Sequence, residues 1–187
     1  MIVVAGIPRS GTTYMARALA GMEPGGTFPR GGSNGVYKTH LPPWSVPGEI
    51  DRAVFMFGDV ADSVISTRLR RWDRKHFKNC GHEDLPATAD IYERDVLGYE
   101  DIFDAWYQPQ SFPLICARYE ALGIGALEVI ADFLGQRVKW PEWDRRPHYH
   151  HPKRREIESA YRGLVAKVRE ASDLKMFRPP TSILNSS

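Results

Sequence analysis

The sequence predicts an α/β fold, a single domain in which a parallel β-sheet is flanked by helices in three layers. Three observations predict it. Short apolar runs of strand length alternate with longer segments of helical period through most of the chain, the pattern that β-α-β units produce. The first run, Ile2-Val3-Val4-Ala5, breaks at Gly6 and Pro8 and passes through Ser10-Gly11-Thr12-Thr13 into an Ala/Leu-rich segment, which reads as strand, loop, helix. The length of 187 residues suffices for one buried core and is short for two. The expected domain covers 1–178, with a loose tail over 179–187.

The elements follow in order. Residues 21–35 are so rich in Gly and Pro that a surface loop is expected after the first helix. Val36-Tyr37-Lys38-Thr39 predicts a second strand, ended by His40-Leu41-Pro42-Pro43 because proline cannot donate to a ladder. Lys38 and His40 fall on one side at the strand period of two. Ala53 to Phe57 is a continuous apolar run of buried-strand length, followed by Gly58 and a predicted helix over 60–75 on which Asp62, Ser66 and Arg70 share a face. After a loop over 78–86, Tyr92, Val96, Tyr99, Phe103 and Trp106 recur at helical spacing and predict one amphipathic helix with a buried aromatic side. Phe112 to Ala117 predicts a fourth strand. Leu127, Ile130, Ala131 and Leu134 predict a helix that Gly135 stops. A Trp/Pro/His/Arg-rich loop over 136–152 leads into a last helix over 153–170.

Charge is nearly balanced, 25 Lys+Arg against 23 Asp+Glu, so no broad basic footprint for nucleic acid is expected. Cys80 and Cys116 fit neither a disulfide framework nor zinc spacing, and a reducing compartment is the simplest expectation. The opening apolar run is too short for a signal-peptide core, and no stretch approaches the ~20 apolar residues that span a bilayer. A soluble, cytoplasmic protein without a membrane partner is expected. His148-Tyr149-His150-His151 has no carboxylate or cysteine at ligand spacing, and no metal is expected there.

A strand–loop–helix of the first kind surrounds a phosphate-like anion with unpaired backbone N–H groups and the positive end of a helix dipole. Against the triphosphate loop G-x-x-x-x-G-K-[ST], Gly6, Gly11 and Thr13 are in place but Thr12 stands where the lysine belongs. That lysine reaches the terminal phosphates of a triphosphate, so its absence argues against a kinase. Arg9, before the turn, offers a guanidinium able to grip two oxygens of one tetrahedral group.

Four blocks together resemble the sulfotransferases that use 3′-phosphoadenosine 5′-phosphosulfate: Pro8-Arg9-Ser10-Gly11-Thr12-Thr13-Tyr14; Tyr37-Lys38-Thr39-His40-Leu41-Pro42; Gly58 to Ser66; and Ala117-Arg118-Tyr119-Glu120-Ala121-Leu122 followed by Phe133-Leu134-Gly135. They occur in the family's order over roughly two thirds of the chain. The resemblance implies a P-loop-like sulfotransferase fold, with the 5′-phosphosulfate on Arg9, Ser10, Gly11, Thr12 and Thr13. It implies adenine contacts from Tyr14 and Tyr119, a 3′-phosphate contact from Ser66, and no metal. His40 matches the catalytic base, Lys38 an assistant at the bridging oxygen, and Arg9 the cation that steadies the leaving phosphate. An imidazole titrating near neutrality suits the role of base.

The departures are specific. The family's third block opens with an arginine that joins the serine on the 3′-phosphate, and this chain has Gly58 there. Losing such a contact costs about 1.5–3 kcal/mol. Arg70, one turn beyond Ser66, is the expected substitute. The family's C-terminal glycine-rich cofactor motif is not recognisable, and Lys153, Arg154 and Arg155 are the nearest basic group. The acceptor is expected to be a small molecule, glycan or peptide offering a hydroxyl or an amine. Arg30, Trp44, Trp72, Trp106 and the 136–152 loop are candidates to line its pocket. The alternatives are a P-loop kinase, which would need Mg²⁺, and a catalytically silent nucleotide-binding protein. The oligomeric state is open.

Overall fold

The computed structural model describes residues 1–83, 89–142 and 148–179. Five strands form one sheet in the order β2-β1-β3-β4-β5, with β1 Ile2–Gly6, β2 Val36–Thr39, β3 Arg52–Phe57, β4 Leu114–Arg118 and β5 Leu174–Phe177. The first four run parallel, whereas β5 pairs antiparallel to β4. The four strands that the sequence predicts are parallel, and β5 is an antiparallel edge strand that it did not predict. Its exposed Lys175 and Met176 and half-buried Leu174 and Phe177 carry only part of a strand's alternation, so the sequence pattern did not reveal it.

Alternate residues feed two cores. Val3, Ala5, Phe55, Phe57, Leu114 and Cys116 face a core built with α2 (Val60–Leu69), α4 (Tyr99–Trp106), α6 (Arg154–Ala160) and α7 (Arg162–Glu170), while α3 (Asp73–Asn79) adds Phe77. Val4, Val54, Met56, Ile115 and Ala117 face the opposite core, closed by α1 (Thr12–Leu19) and α5 (Ile124–Leu134). Burial on both faces explains why β1, β3 and β4 read as unbroken apolar runs. The first core is aromatic at its centre: Phe55 stacks on Trp106 at 6.1 Å, and Phe57 meets Phe103 edge-on at 5.6 Å. Both cysteines are buried and free.

Three long predicted helices are shorter or divided. The 60–75 helix ends at Leu69 because Arg71 turns left-handed (φ 55°) and Trp72 N–H closes back on the Thr67 carbonyl, a Schellman-type end without glycine; α3 then restarts. The aromatic helix begins only at Tyr99. Asp95 receives the N–H groups of Tyr99 and Glu100, and Gly98 is left-handed (φ 66°), so Tyr92 and Val96 pack from irregular chain. The last helix breaks at Tyr161, whose hydroxyl donates to the carbonyls of Ile91 and Arg94. Most of the expected tail lies outside the described residues, as does part of the 78–86 loop. No helix among the described residues is long and apolar enough to cross a membrane.

Candidate functional site

In parallel order all four leading strands end at one edge, and β1 lies where the chain switches direction, between β2 on one side and β3 on the other. Ligands of open α/β sheets bind in the crevice at that point. The loop 7–11 follows β1, His40 follows β2, Gly58 and Asp59 follow β3, and Tyr119 and Glu120 follow β4. The first three blocks and the Tyr119–Glu120 part of the fourth therefore share one edge, whereas Phe133 lies at the opposite one, where Arg52 at the start of β3 reaches its carbonyl.

The first loop is tightly seated. A Cβ at Gly6 would lie 2.4 Å from the Met56 carbonyl oxygen and 2.6 Å from Thr12 Cγ2, so only glycine lets the strand pass beneath the helix start. Gly11 takes the left-handed conformation (φ 83°), and so does Arg9 (φ 73°), a strained geometry for a side-chain-bearing residue. Ser10 is a fastener: its N–H bonds the Ile7 carbonyl, and its hydroxyl lies 2.6 and 2.8 Å from the carbonyls of Ile7 and Met56. Both donors of Ser10 are thereby turned to the protein. The N–H groups of Gly11, Thr12 and Thr13 find no acceptor among the described residues and open toward the edge at the positive end of α1. Tyr14 donates its hydroxyl to the Pro141 carbonyl at 2.7 Å and lies parallel to Trp140 at 6.4 Å. Its ring is half-buried, so an aromatic surface borders α1.

His40 is 4% exposed. Its Nδ1 lies 2.6 Å from the Gly6 carbonyl oxygen, and since a carbonyl can only accept, Nδ1 carries the proton. Nε2 is then a lone pair, and it faces the Lys38 ammonium at 3.2 Å. Burial, with Lys38 next, holds the imidazole well below its ordinary range. Burial also draws Lys38 down to about 8, with Lys75 adding repulsion. A neutral imidazole whose tautomer is set by a backbone carbonyl, and whose other nitrogen accepts from Lys38, can serve as a general base once that ammonium moves aside. Trp106 supports it from beneath: its Nε1–H donates to the Leu41 carbonyl at 2.9 Å, and the ring is fully buried. Trp106 thus belongs to the core, and Trp44, 77% exposed, does not approach His40 through any ring or hydrogen-bond contact among the described residues.

On the other side, Arg9 Nε donates to Ser66 Oγ at 2.9 Å, which ties the first loop to α2. Arg70, the residue that caps the C-terminal end of α2, stands at the opposite end of that helix from Gly58. The structure joins Arg70 to Arg9 through the ring of Trp72 rather than to the Gly58 corner. At that corner Glu120 occupies the space: its Oε1 accepts the Asp59 N–H at 2.8 Å and lies 2.8 Å from the position of a Cβ on Gly58, while its buried Oε2 has no partner among the described residues. Tyr119 is buried beside it. A narrow cleft lined by Arg9, Gly58, Asp62, Tyr119, Glu120 and Tyr149 joins this corner to the first loop.

Residues 148–154 fold over α2, which the sequence did not foretell. His148 Nδ1 lies 2.7 Å from Asp62 Oδ2, the Tyr149 N–H bonds Asp62 Oδ1, and the Tyr149 hydroxyl lies 3.4 Å from Ser66 Oγ. Asp59, Asp62 and His148 come within 4.8 Å of one another, a carboxylate partnership for the histidine run that spacing alone did not reveal. Arg154 already bridges the two carboxylates with contacts of 2.6 Å each and reaches Glu158 as well. Of the basic trio 153–155, Arg154 is therefore the member at the site, and its charge is spent on aspartates.

His76 was not singled out from the sequence. It lies edge-on to His40 with ring centroids 5.7 Å apart and is 5% exposed. Only its place four residues after Trp72, on a helix whose start the sequence pattern did not mark, would have revealed it. No protein-family model matches the chain, and no curated protein matches it.

Proposed function

We propose that the protein is a sulfotransferase that moves a sulfuryl group from 3′-phosphoadenosine 5′-phosphosulfate to an acceptor hydroxyl or amine. The observation that carries this reading is the His40 geometry: a neutral, buried imidazole with Nε2 directed at Lys38, one strand away from a loop that offers unpaired N–H groups. In the reaction the acceptor oxygen forms a bond to sulfur as its proton passes to His40 Nε2. The bond from sulfur to the bridging oxygen breaks in line, and 3′-phosphoadenosine 5′-phosphate leaves with the electron pair. Lys38, now displaced from the protonating imidazole, and Arg9 face the charge that develops on the bridging oxygen, and the Gly11, Thr12 and Thr13 N–H groups hold the oxygens of the phosphosulfate. Such preorganised donors supply the stabilisation without a metal.

The two ends of the donor fit unequally. The first loop suits the phosphosulfate, whereas the Gly58 corner presents Glu120, Asp59 and Asp62 where a 3′-phosphate would approach, with Arg154 held by the aspartates. Weak donor affinity follows from that imbalance. Calorimetric titration with 3′-phosphoadenosine 5′-phosphate and with Mg²⁺–ATP tests the proposal: the former is expected to bind and the latter not. Magnesium-dependent ATP turnover would replace this reading with the kinase one. Donor binding with no sulfated product across a broad acceptor panel would leave a silent binding protein.

A further inference from the structure

Beside His40 lies a group of cations of which the proposed mechanism uses Arg9 and Lys38 but not Arg70 or Lys75. Trp72, in the turn between α2 and α3, is surrounded by three of them: the guanidinium carbons of Arg9 and Arg70 lie 5.0 and 5.4 Å from its ring centroid, and the Lys75 ammonium 4.6 Å. His76 packs edge-on against both Trp72 and His40, at 5.7 Å in each case. It is 5% exposed, and neither ring nitrogen has a hydrogen-bond partner among the described residues. Buried polar atoms in native folds are otherwise almost always met, so this ring marks a place for a partner from outside.

The charge around it is unbalanced. Arg68, Arg118, Arg154 and Lys167 all meet carboxylates within ion-pair distance. Among the described residues, Lys38, Arg70 and Lys75 meet none. Burial, then Arg9, Lys38 and Lys75, holds the His76 pKa down to about 3, so the ring is neutral and offers one N–H and one lone pair. Asp73 lies at the start of the same helix, but it is turned to Arg68. A positive site floored by an indole, with a neutral imidazole donor on its inner wall, suits an anion.

We infer that the acceptor is acidic: a carboxylate or phosphate on it is held by Lys75, Arg70 and an N–H of His76 while its hydroxyl faces His40 Nε2. The identity of the reaction rests on the sulfuryl-transfer reading; the anion site rests on Trp72, Lys75, Arg70 and His76.

The test uses the full chain with 3′-phosphoadenosine 5′-phosphosulfate and two matched pairs of acceptors, 4-hydroxybenzoate with 4-hydroxybenzyl alcohol and glucose 6-phosphate with glucose. The anionic member of at least one pair is expected to have kcat/KM about tenfold higher or more, the size of one good charge contact, and the responding pair tells carboxylate from phosphate. Lys75→Gln, at an exposed position, is expected to bring that ratio toward one. A second arm follows the His76 ring protons by NMR in the protein saturated with 3′-phosphoadenosine 5′-phosphate. They are expected to shift with 4-hydroxybenzoate or glucose 6-phosphate and not with the neutral partner. Equal kcat/KM within both pairs would overturn the acidic acceptor and leave sulfuryl transfer standing. A saturable His76 shift with no sulfated product would overturn sulfuryl transfer and leave the anion site standing. No shift with either anion would overturn the site itself.

Discussion

Acidification should destabilise this fold through two imidazoles. His40 and His76 are both neutral in the native state because burial, aided by neighbouring cations, depresses their pKa values. In the unfolded chain each titrates near 6.5. The unfolded state therefore binds more protons below pH 6.5, so stability falls as pH drops from there, and the His76 part levels off near its native value of about 3. At pH 5.0 an unfolded imidazole gains about 2 kcal/mol from protonation, so His76 removes about 2 kcal/mol relative to pH 7.5 and His40 adds to that loss. That is a large share of the ~5–15 kcal/mol that holds a domain. Asp95 works in the opposite sense, since burial raises its native pKa, and for that reason the effect is read against histidine variants. Urea unfolding at pH 7.5, 6.0 and 5.0 should show an acid loss smaller by about 2 kcal/mol at pH 5.0 in His76→Phe, and also a smaller loss in His40→Asn, compared with the unaltered chain. Equal losses in all three proteins would refute the claim that both rings are buried as neutral bases.

Three further outcomes follow. His40→Asn, whose amide can still donate to the Gly6 carbonyl, should lower sulfuryl transfer by about 10²–10⁴-fold in steady-state assays while calorimetric affinity for 3′-phosphoadenosine 5′-phosphate stays within error. Gly58→Arg should strengthen that affinity by about tenfold or more, because a guanidinium beside the unpartnered Glu120 oxygen supplies both a carboxylate partner and a phosphate contact; the Glu120 side-chain end must swing aside to admit it. Ser10→Ala should cost about 1–3 kcal/mol in denaturant unfolding, since it removes the hydroxyl that ties the first loop to the buried Ile7 and Met56 carbonyls.

Much of the fold was legible because its signals are local. β2 begins and ends where the pattern put it, at Val36 and Thr39, since Gly35 and the prolines after His40 permit little else. Gly135 stops α5 in the left-handed conformation expected of a helix-ending glycine. Helix continuity was less legible. Arg68, Leu69, Arg70 and Arg71 all favour helix, and the break at Arg71 is set by how Trp72 turns back onto the site. The antiparallel β5 was likewise hidden, because an edge strand borrows its order from β4 rather than from its own residues.

By itself the sequence determined the sheet's main strands, the strand–loop–helix that opens the chain and the pairing of Lys38 with His40 on one strand side, because backbone periods and the conformations of Gly and Pro act over a few residues. Only the tertiary structure decided which charges are spent and which remain. It brought Arg154 from 92 residues away onto Asp62, set Glu120 into the space at Gly58, turned Ser10 inward, and buried His76 among cations with no hydrogen-bond partner among the described residues. Electrostatic strength depends on burial and on distance through space, and neither quantity is written in the order of residues.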